Sequence, residues 1–347
     1  MPTVLVQGRI AAPKADILRR VAPEGWEVTT WAPDSDPVAA FPPLAEAADV
    51  IVGGAIPTDW PETPRLRLFQ IPWTGFDFTS PERMPKGVPV ANTFEHETTI
   101  AEYVFAAMLE WVIGLRGLDD AFRASGWGGH PTGLAPLHGE LRGATLGVVG
   151  HGHIGRETAL RAKAFGMHTI GVRRSAAPCP PELDRLGRTE DLDALLAESD
   201  FVLVACDLND ETRGLIDAAR LARMKPTGVL INVARGRVVE EDALYDALAE
   251  RRIGGAVIDV WYNYPSPGEP EPWPANRPFQ DLPNTILTPH RSAVTREMHE
   301  RRWRFVAAQL ARLDGLIAYH GRKQVSHWQA LLANGRLEAL AEALMRE

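Results

Sequence analysis

The sequence predicts an α/β protein made of two doubly wound parallel-sheet domains. Three observations carry that reading. Strand-like apolar runs alternate with helix-like stretches in both halves, a glycine run lies between a strand and a helix mid-chain, and the 347 residues are about twice an ordinary domain's length. The first strands are Thr3 to Val6, Glu27 to Thr30, Val50 to Val52, Leu68 to Ile71 and Val88 to Ala91, and Pro13 to Val21 is the clearest helix between them. Parallel pairing follows, because strands joined through helices cross over rather than turn back as hairpins. From Thr99 the apolar spacing becomes helical and stays so from Ile100 to Ser125, which reads as one long helix suited to leaving one domain for the next. The loop GWGGHPTGLAPLHGE follows it, and loops of that length are usually functional or interface-forming.

A second series opens at Thr145 with the strand TLGVVG, a glycine turn, the helix GRETALRAKAFG and the strand HTIGV. Further strands are expected at Phe201 to Ala205, Gly228 to Val233, Gly255 to Val260 and Thr285 to Thr288. Six strands with crossover helices describe a doubly wound sheet. A last long helix, Thr295 to Tyr319, is expected to return to the first domain, which would then comprise 1–98 and 291–347 around a second domain at 99–290. The tail from Arg322 to Glu347 reads as one more helix.

Composition excludes several classes of function. With a net charge of -8 and no Lys/Arg block, the chain lacks the concentrated positive charge that nucleic acid requires. No uncharged stretch reaches the roughly 18 residues of a membrane span, and the first residues lack a leader's apolar segment. Two cysteines, Cys179 and Cys206, are too few for a disulfide framework and suit a reducing, cytoplasmic setting.

The run Gly150-His151-Gly152-His153-Ile154-Gly155 is a G-x-G-x-x-G turn placed after a strand and before a helix, the context of a Rossmann-like dinucleotide site. Gly150 permits the tight turn, Gly152 the approach of a pyrophosphate and Gly155 close packing of helix on strand. The N–H groups of His153 and Ile154 are expected to face the phosphates at the helix N-terminus. His151 and His153 are not read as a metal pair, since no third ligand follows at a recognisable spacing, and no metal is expected. The next strand ends Val172-Arg173-Arg174-Ser175, without the acid that normally binds the ribose hydroxyls. Two guanidiniums and a hydroxyl suit a 2′-phosphate, so NADP(H) is expected to be preferred, with NAD(H) possible.

Further segments occur in one order: Asp207-Leu208-Asn209-Asp210-Glu211-Thr212-Arg213-Gly214, Met224-Lys225-Pro226, Ile231-Asn232-Val233-Ala234-Arg235-Gly236, Ile258-Asp259-Val260 and Thr288-Pro289-His290. With the glycine turn, Gly75-Phe76-Asp77 and Ile100-Ala101-Glu102, they resemble the D-isomer-specific 2-hydroxyacid dehydrogenases along essentially the whole chain. The resemblance implies a substrate-binding domain (1–98 with 291–347), a dinucleotide-binding domain (99–290), an active site in the cleft between them and a homodimer. The activity it implies is glyoxylate or hydroxypyruvate reduction with a nicotinamide cofactor. Formate or phosphite oxidation on the same fold, or a dinucleotide-sensing corepressor-like protein, are the alternatives.

The same resemblance assigns Arg235 to the substrate's carboxylate and carbonyl oxygens, and His290 to acid/base work near neutral pH. Cys206, Thr212, Val233, Ala234 and Asp259 fall on the cofactor side, Asp259 near the nicotinamide amide and Cys206 as a spacer without a base. Gly54, Ala55, Thr74 and Gly75 match loops whose N–H groups take the substrate carboxylate. Gly54 replaces an arginine of many relatives, which favours a small or moderately apolar 2-keto acid over a phosphorylated one. One departure stands out: Tyr264 occupies the position of the glutamate that usually partners the histidine. A phenol orients an imidazole but supplies no negative charge near neutrality. Glu95 and Glu97 are candidate substitutes, while Trp73 and Trp127 are candidates for lining the cleft or a dimer surface.

Overall fold

The structure is a computed structural model that describes residues 1–54, 60–75, 85, 87–128, 137–266, 269 and 271–320, with side chains up to 313. Ala55, Phe76, Asp77 and the 322–347 segment lie outside the described residues. The chain forms two compact units, one of Met1–Glu95 with the chain from Arg296 onward, the other of His96–Thr295.

The first unit contains β1 (Thr3–Gln7), α1 (Ala15–Val21), β2 (Glu27–Trp31), α2 (Phe41–Ala47), β3 (Val50–Val52), β4 (Leu68–Gln70) and β5 (Val90–Ala91). They make a parallel sheet in the order β2-β1-β3-β4-β5. Val4, Leu5, Val6, Val50, Ile51 and Val52 are fully buried, as central parallel strands covered on both faces must be.

In the second unit the expected single helix is two: α3 (Glu97–Ile113) and α4 (Leu115–Ser125), bent by 52°. Gly114 lies between them at φ +67°, a left-handed cap that glycine adopts without steric cost and that ends a helix whatever the side-chain periodicity beyond it. Both halves stay in the second unit, and α3 packs on the first helix of the nucleotide fold. That fold runs β6 (Thr145–Val149), α5 (His153–Ala164), β7 (His168–Val172), β8 (Arg185–Gly187), α6 (Leu192–Glu198), β9 (Phe201–Val204), α7 (Ala218–Leu221), β10 (Val229–Asn232), α8 (Glu241–Ala249), β11 (Gly255–Ile258) and β12 (Thr285–Leu287). The seven parallel strands lie in the order β12-β11-β10-β9-β6-β7-β8. β8 is a seventh strand beyond the six expected; three residues at the sheet edge, one charged and one glycine, carry no readable alternation.

The last helix, α9 (Arg296–His320), belongs to the first unit, where Trp303, Val306 and Leu310 are buried with Leu18 of α1. Among the described residues no single helix is long and apolar enough to cross a membrane.

Candidate active site

The strand order of the second sheet reverses between β6 and β9, so their C-terminal ends open the crevice where doubly wound folds take a ligand. Gly150 closes the turn there at φ +98°. A Cβ on it would lie 2.6 Å from the Cys206 backbone N, so no other residue fits. A Cβ on Gly155 would lie 2.7 Å from the Gly150 carbonyl oxygen and from Val148 Cγ1, which seats α5 directly on β6. At Gly152, by contrast, a Cβ would meet nothing within 4 Å. That open space faces the start of α5, which no side chain caps, and His153 and Ile154 form its first turn. Open space beside an uncapped helix N-terminus fits a pyrophosphate.

Around this cradle, Cys206 is a spacer, its thiol pushed up to about 12 by burial and by Asp207. The Thr212 hydroxyl holds its own loop, donating to the Asp207 carbonyl oxygen at 2.5 Å and accepting the Asn209 N–H at 2.8 Å. Val233 and Ala234 are buried at the end of β10. Arg173 continues β7, its N–H donating to the Gly187 carbonyl oxygen at 3.2 Å, and Ser175 is exposed. The strand-end run carries no acid, but two acids approach it through the fold. The loop after β9 brings Glu211 to 3.7 Å from Arg174, and Glu182 is buried beside His151. Both acids lie outside the strand-end tetrapeptide and arrive through the fold.

The second cluster sits at the ends of β10, β11 and β12. Asn232 folds the Arg235 loop from both sides: its Oδ1 accepts the Ala234 N–H at 3.1 Å and its Nδ2 donates to the Arg235 carbonyl oxygen at 3.0 Å. Gly236 lets that loop approach the next strand end, since a Cβ there would lie 2.3 Å from the Trp261 carbonyl oxygen. Trp261 in turn donates its Nε1–H to the Thr288 carbonyl oxygen at 2.9 Å. His290 follows at φ +55°, a conformation that costs a non-glycine residue of order 1–3 kcal/mol and is kept only where its surroundings impose it.

Asp259 imposes it. The side chain is fully buried, and its carboxylate accepts from Thr288 Oγ1 (2.5 Å), Arg291 N–H (2.7 Å) and Ser292 N–H (2.9 Å), bracketing His290. This carboxylate, fully buried and engaged by three donors, clamps the turn. Tyr103 of α3 completes the network, its hydroxyl 2.7 Å from Thr288 Oγ1. Because Thr288 donates to Asp259, Tyr103 donates to Thr288. Burial above all pushes the Tyr103 phenol up to about 12, so it stays a donor. Sequence reading missed Tyr103, which belongs to none of the strand-end motifs.

Tyr264 lies beside the His290 ring. Its hydroxyl is 3.0 Å from His290 Nδ1 and accepts the Trp261 N–H at 3.1 Å. A phenol can meet either form of the ring, donating to a bare Nδ1 or accepting from a protonated one, so this contact orients His290 in both. Glu97 lies 3.9 Å from His96 and 3.8 Å from His153, and Glu95 lies 3.8 Å from Arg301.

In the first unit, Gly54 admits no side chain, because a Cβ would fall 1.8 Å from the Trp73 ring. Trp73 thus occupies the space a side chain at 54 would need. Thr74 is fixed by its Oγ1 donating to the Thr93 carbonyl oxygen at 2.7 Å and by Asn92 Nδ2 donating to its own carbonyl oxygen at 2.9 Å, which leaves Gly75 on a braced loop. Trp127 is exposed, packing edge-on against Phe122. Among the described residues no group of three or more His, Cys, Asp or Glu is placed to hold a metal ion.

Comparison with known proteins agrees with this geometry. The family model described as "D-isomer specific 2-hydroxyacid dehydrogenase, NAD binding domain" matches residues 105–292. The chain belongs to that family. It is an oxidoreductase with a nicotinamide-dinucleotide domain. It is 35% identical over 324 residues, 91% of this chain and 94% of the other, to glyoxylate/hydroxypyruvate reductase B of Pectobacterium carotovorum. Among solved structures, a family protein of Aeromonas salmonicida superposes with a TM-score of 0.73 at 26% identity, covering 90% of this chain and 96% of that one. An NADPH-dependent glyoxylate/hydroxypyruvate reductase of Sinorhizobium meliloti superposes with a TM-score of 0.69 at 26% identity, covering 90% and 93%.

The clamp predicts how Asp259→Asn behaves. An amide replaces a charged acceptor of three hydrogen bonds, each worth about 1.5–3 kcal/mol when charge-assisted. Stability by urea denaturation should fall by about 2 kcal/mol or more, and turnover should fall with it as the His290 turn relaxes. A variant with native stability and turnover would show that the turn holds without the clamp.

Proposed function

We propose that this protein is an NADP(H)-preferring reductase of small 2-keto acids of the glyoxylate or hydroxypyruvate type, working as a cytoplasmic homodimer. The observation that carries the reading is His290 on its clamped turn, with Nδ1 held by Tyr264, at the same strand ends as the Arg235 loop. The cofactor, when bound at the 150–155 turn, supplies the hydride to the carbonyl carbon. Arg235 holds the substrate's carboxylate and carbonyl oxygen through its planar fork, which fixes the face presented. His290 gives its proton to the carbonyl oxygen as the alkoxide develops. Gly54, Ala55, Thr74 and Gly75 are the proposed donors to the substrate carboxylate, and the Trp73 ring, where a side chain at 54 would begin, favours a compact or apolar substituent over a phosphate.

NADP(H) preference is supported by Arg173, Arg174 and Ser175 at the end of β7 and by the likeness to the NADPH-dependent reductase of Sinorhizobium meliloti. The homodimer is supported by α4, whose Leu115, Leu118 and Phe122 are exposed along one face with Trp127 beside them, an apolar patch of the kind a second copy covers. The two thiols, both free, suit a reducing compartment.

The deciding experiment is oxidation of NADPH and NADH with a panel of 2-keto acids, run beside formate and phosphite with NADP+ and NAD+. Glyoxylate or hydroxypyruvate should be turned over best. Arg235→Lys should mainly raise KM, and His290→Ala should lower kcat by about a hundredfold or more. Dinucleotide binding without turnover of any panel member would instead make this a sensor.

Replacing both Arg173 and Arg174 by Ala should cut the preference for NADPH at least about tenfold, since each charge-assisted bond to phosphate contributes on the order of 1.5–3 kcal/mol. Unchanged selectivity would remove both arginines from the 2′-phosphate site.

Tyr264 governs the pH profile of kcat/KM for reduction. The acid form of His290 is needed, so rate is lost as pH rises through its titration. A carboxylate at 264 favours imidazolium and should move that falling limb upward by about one to three units, less where solvent screens it. Tyr264→Glu is therefore expected to extend activity to higher pH, whereas Tyr264→Phe removes a neutral hydrogen bond of roughly 1 kcal/mol and should cost less than about tenfold. A profile unmoved in Tyr264→Glu would mean that position 264 does not set the protonation of His290.

Light scattering of the eluting protein should give twice the chain mass, and Leu118→Glu with Phe122→Glu should give the monomer; a native monomer would rule out the dimer.

A further inference from the structure

The glycine turn carries a titratable side chain that backbone recognition of a pyrophosphate leaves without a task. The His151 side chain is only 7% exposed, with Nε2 3.4 Å from Oε1 of Glu182, itself 4% exposed. Nε2 is buried and makes no hydrogen bond. The ring is fixed at the ends of β6 and β7, because the His151 N–H donates to the Val172 carbonyl oxygen at 3.3 Å, the residue before Arg173. Glu182 is fixed as well, its carbonyl oxygen accepting from Thr169 Oγ1 of β7 at 2.9 Å. A buried imidazole nitrogen and a buried carboxylate oxygen thus face each other just beyond hydrogen-bond contact, beneath the corner where Arg173 and Arg174 emerge.

The charged groups facing His151 are Glu182 from the β7–β8 connection, Arg173 from the end of β7 and Arg156 from α5, which is also 3.6 Å from Glu182. Burial lowers the readiness of the ring to take a proton, Glu182 opposes that, and the two guanidiniums add to it, so the imidazole is held below its ordinary range. Glu182 is balanced by Arg156, and Arg174 is shared with Glu211, which among the described residues leaves Arg173 without an ion-pair partner. A phosphate monoester carries about -1.5 to -2 near neutrality. One more positive charge is needed, and a proton on His151 supplies it.

We propose that His151 is a cofactor-selectivity residue: it takes up a proton from solvent when the 2′-phosphate of NADP(H) docks on Arg173 and Arg174, closing a charge-assisted bond to Glu182, and it stays neutral when NAD(H) binds. This rests on the dinucleotide reading above. The phosphate offsets the field of Arg173 that opposes imidazolium, and imidazolium screens the buried Glu182 from the phosphate. The linkage has a definite sign. Binding raises the titration of His151 from its lowered free position, so NADP(H) binds best at low pH. Affinity then falls with rising pH, by at most about tenfold per pH unit, between the free and bound titrations. The phosphate's own ionisation near pH 6 runs the other way and is common to native chain and variants.

The test is calorimetric titration of the full chain with NADP+ and NAD+ at about pH 7, in two buffers of different ionisation enthalpy, with the 15N shifts of His151 followed in the same complexes. The native chain should take up more protons with NADP+ than with NAD+, and His151 should give an imidazolium signature only in the NADP+ complex. His151→Gln should abolish the excess uptake and weaken NADP+ near pH 6 about tenfold more than it weakens NAD+. Glu182→Gln should move the NADP+ pH dependence to lower pH. A neutral His151 in the native NADP+ complex, or the same excess uptake in His151→Gln, would overturn this proposal and leave the dinucleotide reading standing. Failure of the native chain to bind either nucleotide would overturn both.

Discussion

The site in the second unit depends on the buried carboxylate of Asp259. Three donors converge on it, two of them backbone N–H groups of the turn that carries His290. A charge without exposed surface is costly unless its partners are complete, and here the donors are the turn itself. The carboxylate and the left-handed backbone of His290 therefore require each other: without the clamp the strain has no compensation, and without the tight turn the carboxylate loses two of its three partners. Thr288 ties this unit to α3 through Tyr103, and Trp261 ties it to the Arg235 loop through the contact that only a glycine at 236 permits.

What was legible in the sequence follows from the same local physics. The β6–turn–α5 element could be read because three separate constraints leave marks: an apolar run, glycines where a Cβ would collide with Cys206 or with the Gly150 carbonyl oxygen, and helical spacing beyond. The ends of β10, β11 and β12 were legible through an ordered set of short motifs. What escaped is what the sheet brings together across long separations. Glu182 and Glu211 enter the arginine corner through connections whose course no periodicity records. Tyr103 reads as one more aromatic on an apolar helix face. The break at Gly114 was hidden because the pattern of α4 continues that of α3 well enough to look like one helix, while the backbone turns at a residue without a side chain to mark it.

Gly54 illustrates a signal that was read only halfway. The absent arginine was visible, but the reason it cannot be restored by substitution is the Trp73 ring lying where the side chain would begin. The backbone carrying Trp73 and Thr74 is braced by Thr93 and Asn92, so room at 54 requires the ring to change rotamer. A side chain at 54 therefore requires the ring at 73 to move or to be replaced, and the two positions are sterically coupled.

A charge and a neutral group divide the work on His290. Asp259 is close in sequence to Tyr264 and acts on the same turn, yet its oxygens are taken by backbone N–H groups at 291 and 292, so its charge sets geometry. The ring is held by a phenol that also accepts the Trp261 N–H, which fixes where its oxygen lies. In a pairing with glutamate one group would both orient the ring and stabilise its charged form. Here orientation survives while the second effect is absent, because a neutral hydroxyl adds no charge; it donates to a bare Nδ1 or accepts from a protonated one, with a reversal between the two. Tyr264 is 44% exposed, so water can take the released donor, and the reversal costs a rearrangement of hydrogen bonds rather than a buried unsatisfied group.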